Sequence, residues 1–455
     1  MVRRSHAQRS VFEVLLPDGE KLWTPQLRRI DEVLEDEHLV EAVVEALERR
    51  RPGSRKKGRP GTPADVVLRM LVLKHLYDWS FDECEREVRG SLVWRAFCRI
   101  DCETVPDAKT LIRLSQALGG DILKKILERL VGIARQRKLV RGRALRVDTT
   151  VVETNIHYPT DSGLLADGVR VLTRELKRLQ TRVGRSVIAV RDRSRAMGKL
   201  VFQLAHRGRA ESVEQKKAHL QKLYRGALRM TAAVVGEAKK AVAAVRGRVS
   251  AVSAAAVSRI EKTINLVRRV QAQTRARVFK GDTHYRNKLL SLFEPETEAI
   301  RKGKPAKPTE FGKLVKIQEA EGRFVTDYEV CATRVADLTL WGPSLDRHEE
   351  LFGRPPALAT ADAGFFSGAN EDLATRHGVE HVVLPRTTHA RKAARRRRWF
   401  RRGLRWRTGC EAKISVLKRR YGLRRCRYRG PSGMLRCVGF GVIANDLWVL
   451  GSAGS

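Results

Sequence analysis

Ala144-Leu145-Arg146-Val147-Asp148-Thr149-Thr150-Val151-Val152 is the stretch on which the fold turns. Before it the apolar residues recur at helical spacing; here they are β-branched and nearly continuous, as in a buried strand. An aspartate sits inside the run. A lone acid at a strand end is ordinarily a turn or surface group, so Asp148 gains meaning only from what the rest of the chain supplies.

Upstream, Val40, Val43, Val44 and Leu47 predict an amphipathic helix. A basic run from Arg49 to Pro60, broken by Pro52, Gly53 and Gly58, then reads as a linker or a phosphate-contacting arm. Thr62 is expected to cap a helix that has Pro63 in its first position and Val66, Leu68, Leu71, Val72 and Leu76 on its apolar face. Ser80-Phe81-Asp82-Glu83 matches a capping box, and another helix follows Pro106-Asp107 through Leu111, Leu114 and Leu118. Short helices with tight turns resemble a helix-turn-helix unit, although any small helical bundle shows the same pattern.

Downstream, no proline occurs between Pro159 and Pro295, and the segment is rich in good helix formers. Long helices, as an antiparallel pair or coiled coil, are expected over about residues 165–280. Strand texture returns at Lys313–Ile317 and Arg323–Val330 around a turn at Glu321-Gly322, which predicts a hairpin. Ala357–Asp362 and His381–Leu384 read as two further strands separated by a helix, so the second half is α/β. The chain thus divides into an N-terminal helix and basic arm (1–60), a helical, helix-turn-helix-like DNA-binding domain (61–135) and an α/β catalytic domain (136–455) interrupted by a helical insertion at about 165–305.

Composition narrows the partner. The 455 residues hold 91 Lys and Arg against 51 Asp and Glu, a formal charge of +40, far more than solubility requires and suited to a polyanion. The longest apolar stretch, near the C-terminus, is interrupted by Asn445 and Asp446 and reads as too short to span a membrane. The basic start Met1-Val2-Arg3-Arg4 runs into polar residues rather than a signal core, so a cytoplasmic, nucleoid-associated protein is expected. Seven scattered cysteines argue against a disulfide framework, and Cys98 and Cys102 lack the second pair that a zinc site needs.

Three acids brought together from distant parts of the chain would suit two divalent ions, which stabilise the entering and leaving oxygens of a phosphoryl displacement. Asp148 and Asp362 each lie at or near a strand end. The third candidate is Glu411, on the helix-like stretch Gly409–Gly422, where Glu411, Ser415 and Lys418 share one face and Ile414, Leu417 and Tyr421 another. Just before it, arginines including Arg401, Arg402 and Arg407 alternate with Trp399, Phe400 and Trp406, a mixture that suits a DNA channel. The competing reading packs each tryptophan into the core.

Arg407, Glu411 and Lys418 stand at the spacing R-x3-E-x6-K, which resembles the signature around the catalytic glutamate of bacterial insertion-sequence DDE transposases. Leu404 replaces the tyrosine usual three residues before the arginine. The segments Val147–Ser162 and Ala361–Ser367 are similar to the regions of that family's first and second acids, and residues 62–118 to its helical N-terminal domain. The resemblance implies an α/β RNase H-like catalytic core with an all-α N-terminal domain and a long helical insertion. It further implies a DNA transposase cutting and joining strands at insertion-sequence ends, with Asp148, Asp362 and Glu411 as catalytic and metal-binding residues for Mg²⁺ or Mn²⁺, as two ions. DNA, as terminal inverted repeats and target, is the expected partner, contacted by Arg401, Arg402, Trp406, Arg407 and Lys418, with a homodimer or higher oligomer forming on it and no membrane involved. A nuclease with the same acids, or an inactive transposase-derived DNA-binding protein, are the alternatives. Glu153, Asp161 and Glu329 are the nearby acids that compete for the assignment, and His157 and His284 are not needed.

Overall fold

The β-branched run is a strand, β1 (Ala144–Thr154), and the central sheet is built outward from it. The description rests on a computed structural model and covers residues 1–5, 21, 23–54, 60–100, 103–185, 187–206, 212–246, 251–301, 308–384 and 396–453. The chain forms two compact units, one of Met1–Asn155 with Ile300–Ser455 and one of Ile156–Ala299.

In the first unit β1 pairs antiparallel with β3 (Thr309–Ala320) from Leu145↔Ala320 to Glu153↔Gly312. On its other side it runs parallel to β5 (Leu358–Ala361), which is parallel in turn to β6 (His381–Val383). The expected hairpin is present: β4 (Phe324–Val330) returns along β3 through a turn at Glu321–Arg323. Gly322 there has φ +77° and a Cβ on it would stand 2.7 Å from the Leu139 carbonyl, so only glycine fits. Short strands β2 (Glu298–Arg301) and β7 (Arg425–Cys426) add to β3 and to the end of β1.

Both faces of the sheet are covered, which explains why β1 carries apolar residues on both of its faces, Val147 and Val151 on one and Val152 on the other. Leu145, Val147 and Val151 pack with Trp341 and Leu345 of α12 (Trp341–Phe352) and with Phe365. On the opposite face Val152, Val315 and Ile317 join a larger core with the N-terminal helices. These are α1 (Pro25–Leu34), α2 (Glu37–Arg50), α3 (Ala64–Leu76), α4 (Phe81–Gly90), α5 (Leu92–Phe97), α6 (Ala108–Ser115) and α7 (Gly120–Gln136). Helices on either side of residue 60 share that core, through Ile30, Val43, Leu68 and Leu127 among others; residues 55–59 of the basic run lie outside the described residues.

Local signals set most helix ends. Ser80 and Glu83 close the capping box of α4, and Asp107 caps α6. The exception is α3, where Pro63 itself is the N-cap and no side chain closes the end, so Thr62 does not play the expected role.

The C-terminal apolar segment also departs from expectation. Asn445 and Asp446 do not interrupt it; α15 (Gly430–Ser452) runs straight through, and by length and mean hydropathy of 1.3 it is long enough to cross a membrane. Its hydrophobic window is 78% buried against α1, α3, α7 and β4, so it is the core helix of this unit. The two polar residues are tolerated because they are bonded: Asp446 accepts from the Val325 N–H at 3.1 Å, and Asn445 accepts from Lys413 at 3.1 Å.

Burial pushes the Asp446 carboxyl up to about 8, with the Lys413 ammonium opposing and Glu319 adding to the rise. A raised native pKa adds stability that is full below about pH 4 and is lost as pH climbs through 8. At about 1.4 kcal/mol per unit, the loss is on the order of several kcal/mol. Urea midpoints measured across that span are expected to fall for the wild type and to fall much less for Asp446→Asn, which keeps the acceptor for Val325; identical profiles would remove Asp446 as the cause.

The second unit is helical. In place of a simple pair, α8 (Asp161–Val183) packs on α9 (Ser194–Ala205), α10 (Val213–Val245) and α11 (Ala251–Lys280). Two local features make the extra breaks: Gly184, at φ +92°, ends α8, and Ser212 with Gln215 forms a capping box that starts α10. Leu165, Leu172, Val234, Ile260 and Val267 give this unit its own core.

Candidate active site

The last registered pair of the parallel strands is Val147↔Ala361. One residue further, Asp148 and Asp362 therefore stand level on neighbouring strands, whose axes are about 4.8 Å apart. There β5 ends while β1 continues to Thr154, and β7 rejoins β1 only at Glu153. Both acids consequently lie in the gap beyond the carboxyl end of β5, where open α/β sheets place their ligands. Each is half-buried. Asp148 accepts from the Thr149 N–H at 2.7 Å, and Asp362 accepts from the Gly364 N–H at 2.8 Å, capping the turn Ala363–Phe365.

Glu411 comes from α14 (Arg398–Arg420), which begins eleven residues before the expected start at Gly409. Its buried face is Gly403, Cys410, Lys413 and Leu417, resting on β1, β5 and β6. Small residues allow this approach. A Cβ on Gly403 would stand 2.5 Å from Val383, and one on Gly409 2.1 Å from the Arg146 guanidinium. At 100° per residue, Arg407, Glu411 and Lys418 fall in a stripe about 40° wide, roughly a quarter turn from that buried face.

Arg146 fastens the helix to β1. It donates to Glu319 at 2.8 and 2.6 Å and to the Trp406 carbonyl at 2.7 Å, and its guanidinium lies 4.0 Å from the Trp406 ring centroid. Lys413 secures the next turn, donating to the Arg323 carbonyl at 2.7 Å as well as to Asn445. Cys410 lies close enough to Asp148 that, after burial, the aspartate's charge raises its thiol pKa further. Glu411 itself is 72% exposed and stands 3.9 Å from Arg407.

Thus the two aspartates are side by side, while the glutamate on the adjacent helix is turned toward its arginine. Among the described residues no three His, Cys, Asp or Glu side chains are close enough to hold a metal ion. The donor set is all carboxylate oxygen, which fits a hard divalent cation rather than zinc.

A fourth acid escaped sequence reasoning. Asp337 accepts from the Thr149 hydroxyl at 2.9 Å, and a Cβ on Gly364 would stand 2.9 Å from one Asp337 oxygen and 3.1 Å from Asp362 Oδ1. Gly364 is bare because two carboxylates converge on its position. Only that glycine, two residues after Asp362, carried a trace of the arrangement in the sequence.

The competing acids are accounted for elsewhere. Glu153 pairs with Arg425 at 3.5 Å, Asp161 pairs with Arg277 inside the helical unit, and Glu329 lies on β4 beside Lys316. Of the expected DNA contacts, Arg401 and Arg402 are exposed on the first turns of α14. Arg407 and Lys418 are 21% and 19% exposed, and Lys418 stands 3.9 Å from Glu310. Trp406 is half-buried with its ring engaged by Arg146, and Trp399 stacks on His381 at 4.7 Å. Arg391, Lys392 and Arg395, and Cys102 near the N-terminal domain, lie outside the described residues.

Comparison with known proteins gives two family matches. Residues 12–117 match a transposase domain (DUF772), and residues 296–436 match a transposase DDE domain. The second match contains Asp362 and Glu411 and the sheet from β3 onward. An uncharacterized protein, ORF8 in the nfe locus of Rhizobium meliloti, is 30% identical over 130 residues, covering 27% of this chain and 63% of that protein. No solved structure matches the chain.

Proposed function

The chain belongs to the insertion-sequence DDE transposases, and from that premise we propose that it cleaves DNA at the ends of a mobile element and joins the freed ends to target DNA. The observation that carries this reading is the placement of Asp148 and Asp362 level on adjacent parallel strands, beneath the helix that bears Glu411. The strand order β2-β3-β1-β5-β6, with β4 also on β3, β3 antiparallel to β1 and β4, and β1, β5 and β6 parallel, supports an RNase H-like core.

Asp148 and Asp362 would hold a divalent cation, Mg²⁺ or Mn²⁺, with Glu411 completing the set. Such ions, when bound, neutralise charge on the reacting phosphate and acidify bound water. The chain's own contribution is placement. The strand ends fix two carboxylates, Arg146 and Lys413 hold the helix of the third, and Arg407 and Lys418 line the same stripe to neutralise flanking phosphates. Two in-line displacements follow: water attacks the phosphodiester at the element end and expels a 3′-hydroxyl, which then attacks a target phosphodiester. No covalent enzyme intermediate is needed.

Incubation of the chain with Mg²⁺ and a labelled element-end duplex, then with added target DNA, tests this. Cleaved and joined products are expected; cleavage without joining would leave a nuclease, and binding alone an inactive DNA-binding protein. Asp337→Asn should lower the cleavage rate about 10- to 100-fold and raise the metal concentration for half-maximal rate, as loss of a group orienting metal ligands does. Unchanged metal dependence would exclude Asp337 from the site.

A further inference from the structure

A cleft of about 1000 Å³ opens in the first unit where α3, α4 and α6 approach the end of α14 and the loop around β7. Its wall is strongly basic: eight of its 21 lining residues are Lys or Arg, against Asp78, Asp82 and Glu153. Glu153 is already committed to Arg425.

Two of the cations stand out, Lys74 because it is buried and Arg436 because, half-buried, it has one unsatisfied nitrogen. Lys74 is 6% exposed, and its ammonium lies 5.0 and 5.3 Å from the Phe81 and Tyr428 ring centroids, with no carboxylate among the described residues paired to it. Burial pushes its pKa down. Across the cleft, Arg436 Nε is buried without a hydrogen-bond partner. Ring faces repay only part of the cost of burying an ammonium, and Arg436 leaves an Nε donor open, so an anion in the cleft would offset both. Trp79, Phe81 and Tyr428 also line the space, adding flat apolar faces beside the charges.

We infer that this cleft binds a single DNA strand, with a phosphate over Lys74 and Arg436 and an unpaired base against the neighbouring rings. Alternating cations and aromatics are the means by which proteins hold single strands. A volume of roughly a 10 Å cube is too small for a duplex, whose major groove alone is about 12 Å wide. The cleft also reaches the site already described. Lys418 lines it and lies two turns, or about 10 Å along the axis, beyond Glu411. A strand seated here therefore leads toward the acids. The assignment to DNA rests on the transposase reading; the cleft and its basic wall do not.

The test is fluorescence anisotropy of a short labelled single-stranded DNA with the full chain, in EDTA so that no cleavage intervenes. Lys74→Met, whose side chain fits between the two rings, should bind about tenfold more weakly, with the slope of log affinity against log salt reduced by about 0.7. Arg424→Gln with Arg427→Gln, both exposed and so without risk to folding, should weaken binding at least as much. Lys125→Met, which removes one charge from an exposed ion pair outside the cleft, should change affinity less than twofold. Equal affinity for Lys74→Met and Lys125→Met would overturn the proposal. Tighter binding of an RNA strand of the same sequence, or the same losses on a duplex, would overturn it as well. Cleft-dependent binding by a chain that cuts no element end would sustain the cleft and remove the transposase reading; normal cutting by Lys74→Met with unchanged strand affinity would do the reverse.

Discussion

Glu411→Gln is expected to lower strand cleavage and joining about a thousandfold or more while leaving the fold intact. Glu411 is 72% exposed in the middle of α14, and its recorded charge contact is the 3.9 Å approach to Arg407. Glutamine keeps the shape and the helix, so unfolding free energy should move by no more than about 0.5 kcal/mol. Asp148→Asn and Asp362→Asn should lose activity to the same extent. On the proposed mechanism the three acids act as one constellation, so the double variant Asp148→Asn with Glu411→Gln should be scarcely worse than either single change. Product formation from a labelled duplex, paired with a gel-shift assay for binding, reads both quantities. Cleavage within tenfold of wild type in any one variant would remove that acid from the site, and losses that multiplied in the double variant would mean the acids act separately.

Glu319→Gln should have the largest effect on stability. The Arg146 and Glu319 side chains are 7% and 0% exposed, and burial pushes the glutamate's pKa up against the opposing Arg146 guanidinium. Removing the carboxylate charge leaves the guanidinium buried without its counter-ion, a loss of about 3–5 kcal/mol. The same guanidinium donates to the Trp406 carbonyl, so the half of α14 that precedes Glu411 should loosen too. Glu319→Leu with Arg146→Met, which removes both charges, should recover much of the loss. Chemical denaturation of the three proteins decides this. A loss under about 1 kcal/mol for Glu319→Gln would show that the pair is no more than a surface-like contact.

Much of this was readable along the chain. The β-branched run at Val147–Val152, the capping box at Ser80–Glu83 and the turn at Glu321-Gly322 each carry their signal within a few residues, because strand burial, helix capping and positive φ are local constraints. The spacing of Arg407, Glu411 and Lys418 is likewise short-range, and it carried the family resemblance from which Asp148, Asp362 and Glu411 are proposed. Where local reading failed, a distant partner had changed the outcome. Asn445 and Asp446 looked like a break in an apolar segment, yet Lys413 and the Val325 N–H satisfy them inside α15. Nothing near Trp406 in the sequence announced its contact with Arg146, 260 positions away.

By itself, then, the sequence determined that this chain has a buried strand bearing an acid, a helix presenting Glu411 between two cations, and a surplus of positive charge suited to DNA. Tertiary structure alone decided that Asp148 and Asp362 stand level, that Asp337 and Asp362 converge on Gly364, that Arg146 binds α14 to β1, and that Lys74 and Arg436 share one cleft. The division has one physical cause. Backbone propensity and side-chain periodicity act over a few residues, whereas strand register, the pairing of buried charges and the convergence of carboxylates are fixed by packing between segments hundreds of residues apart.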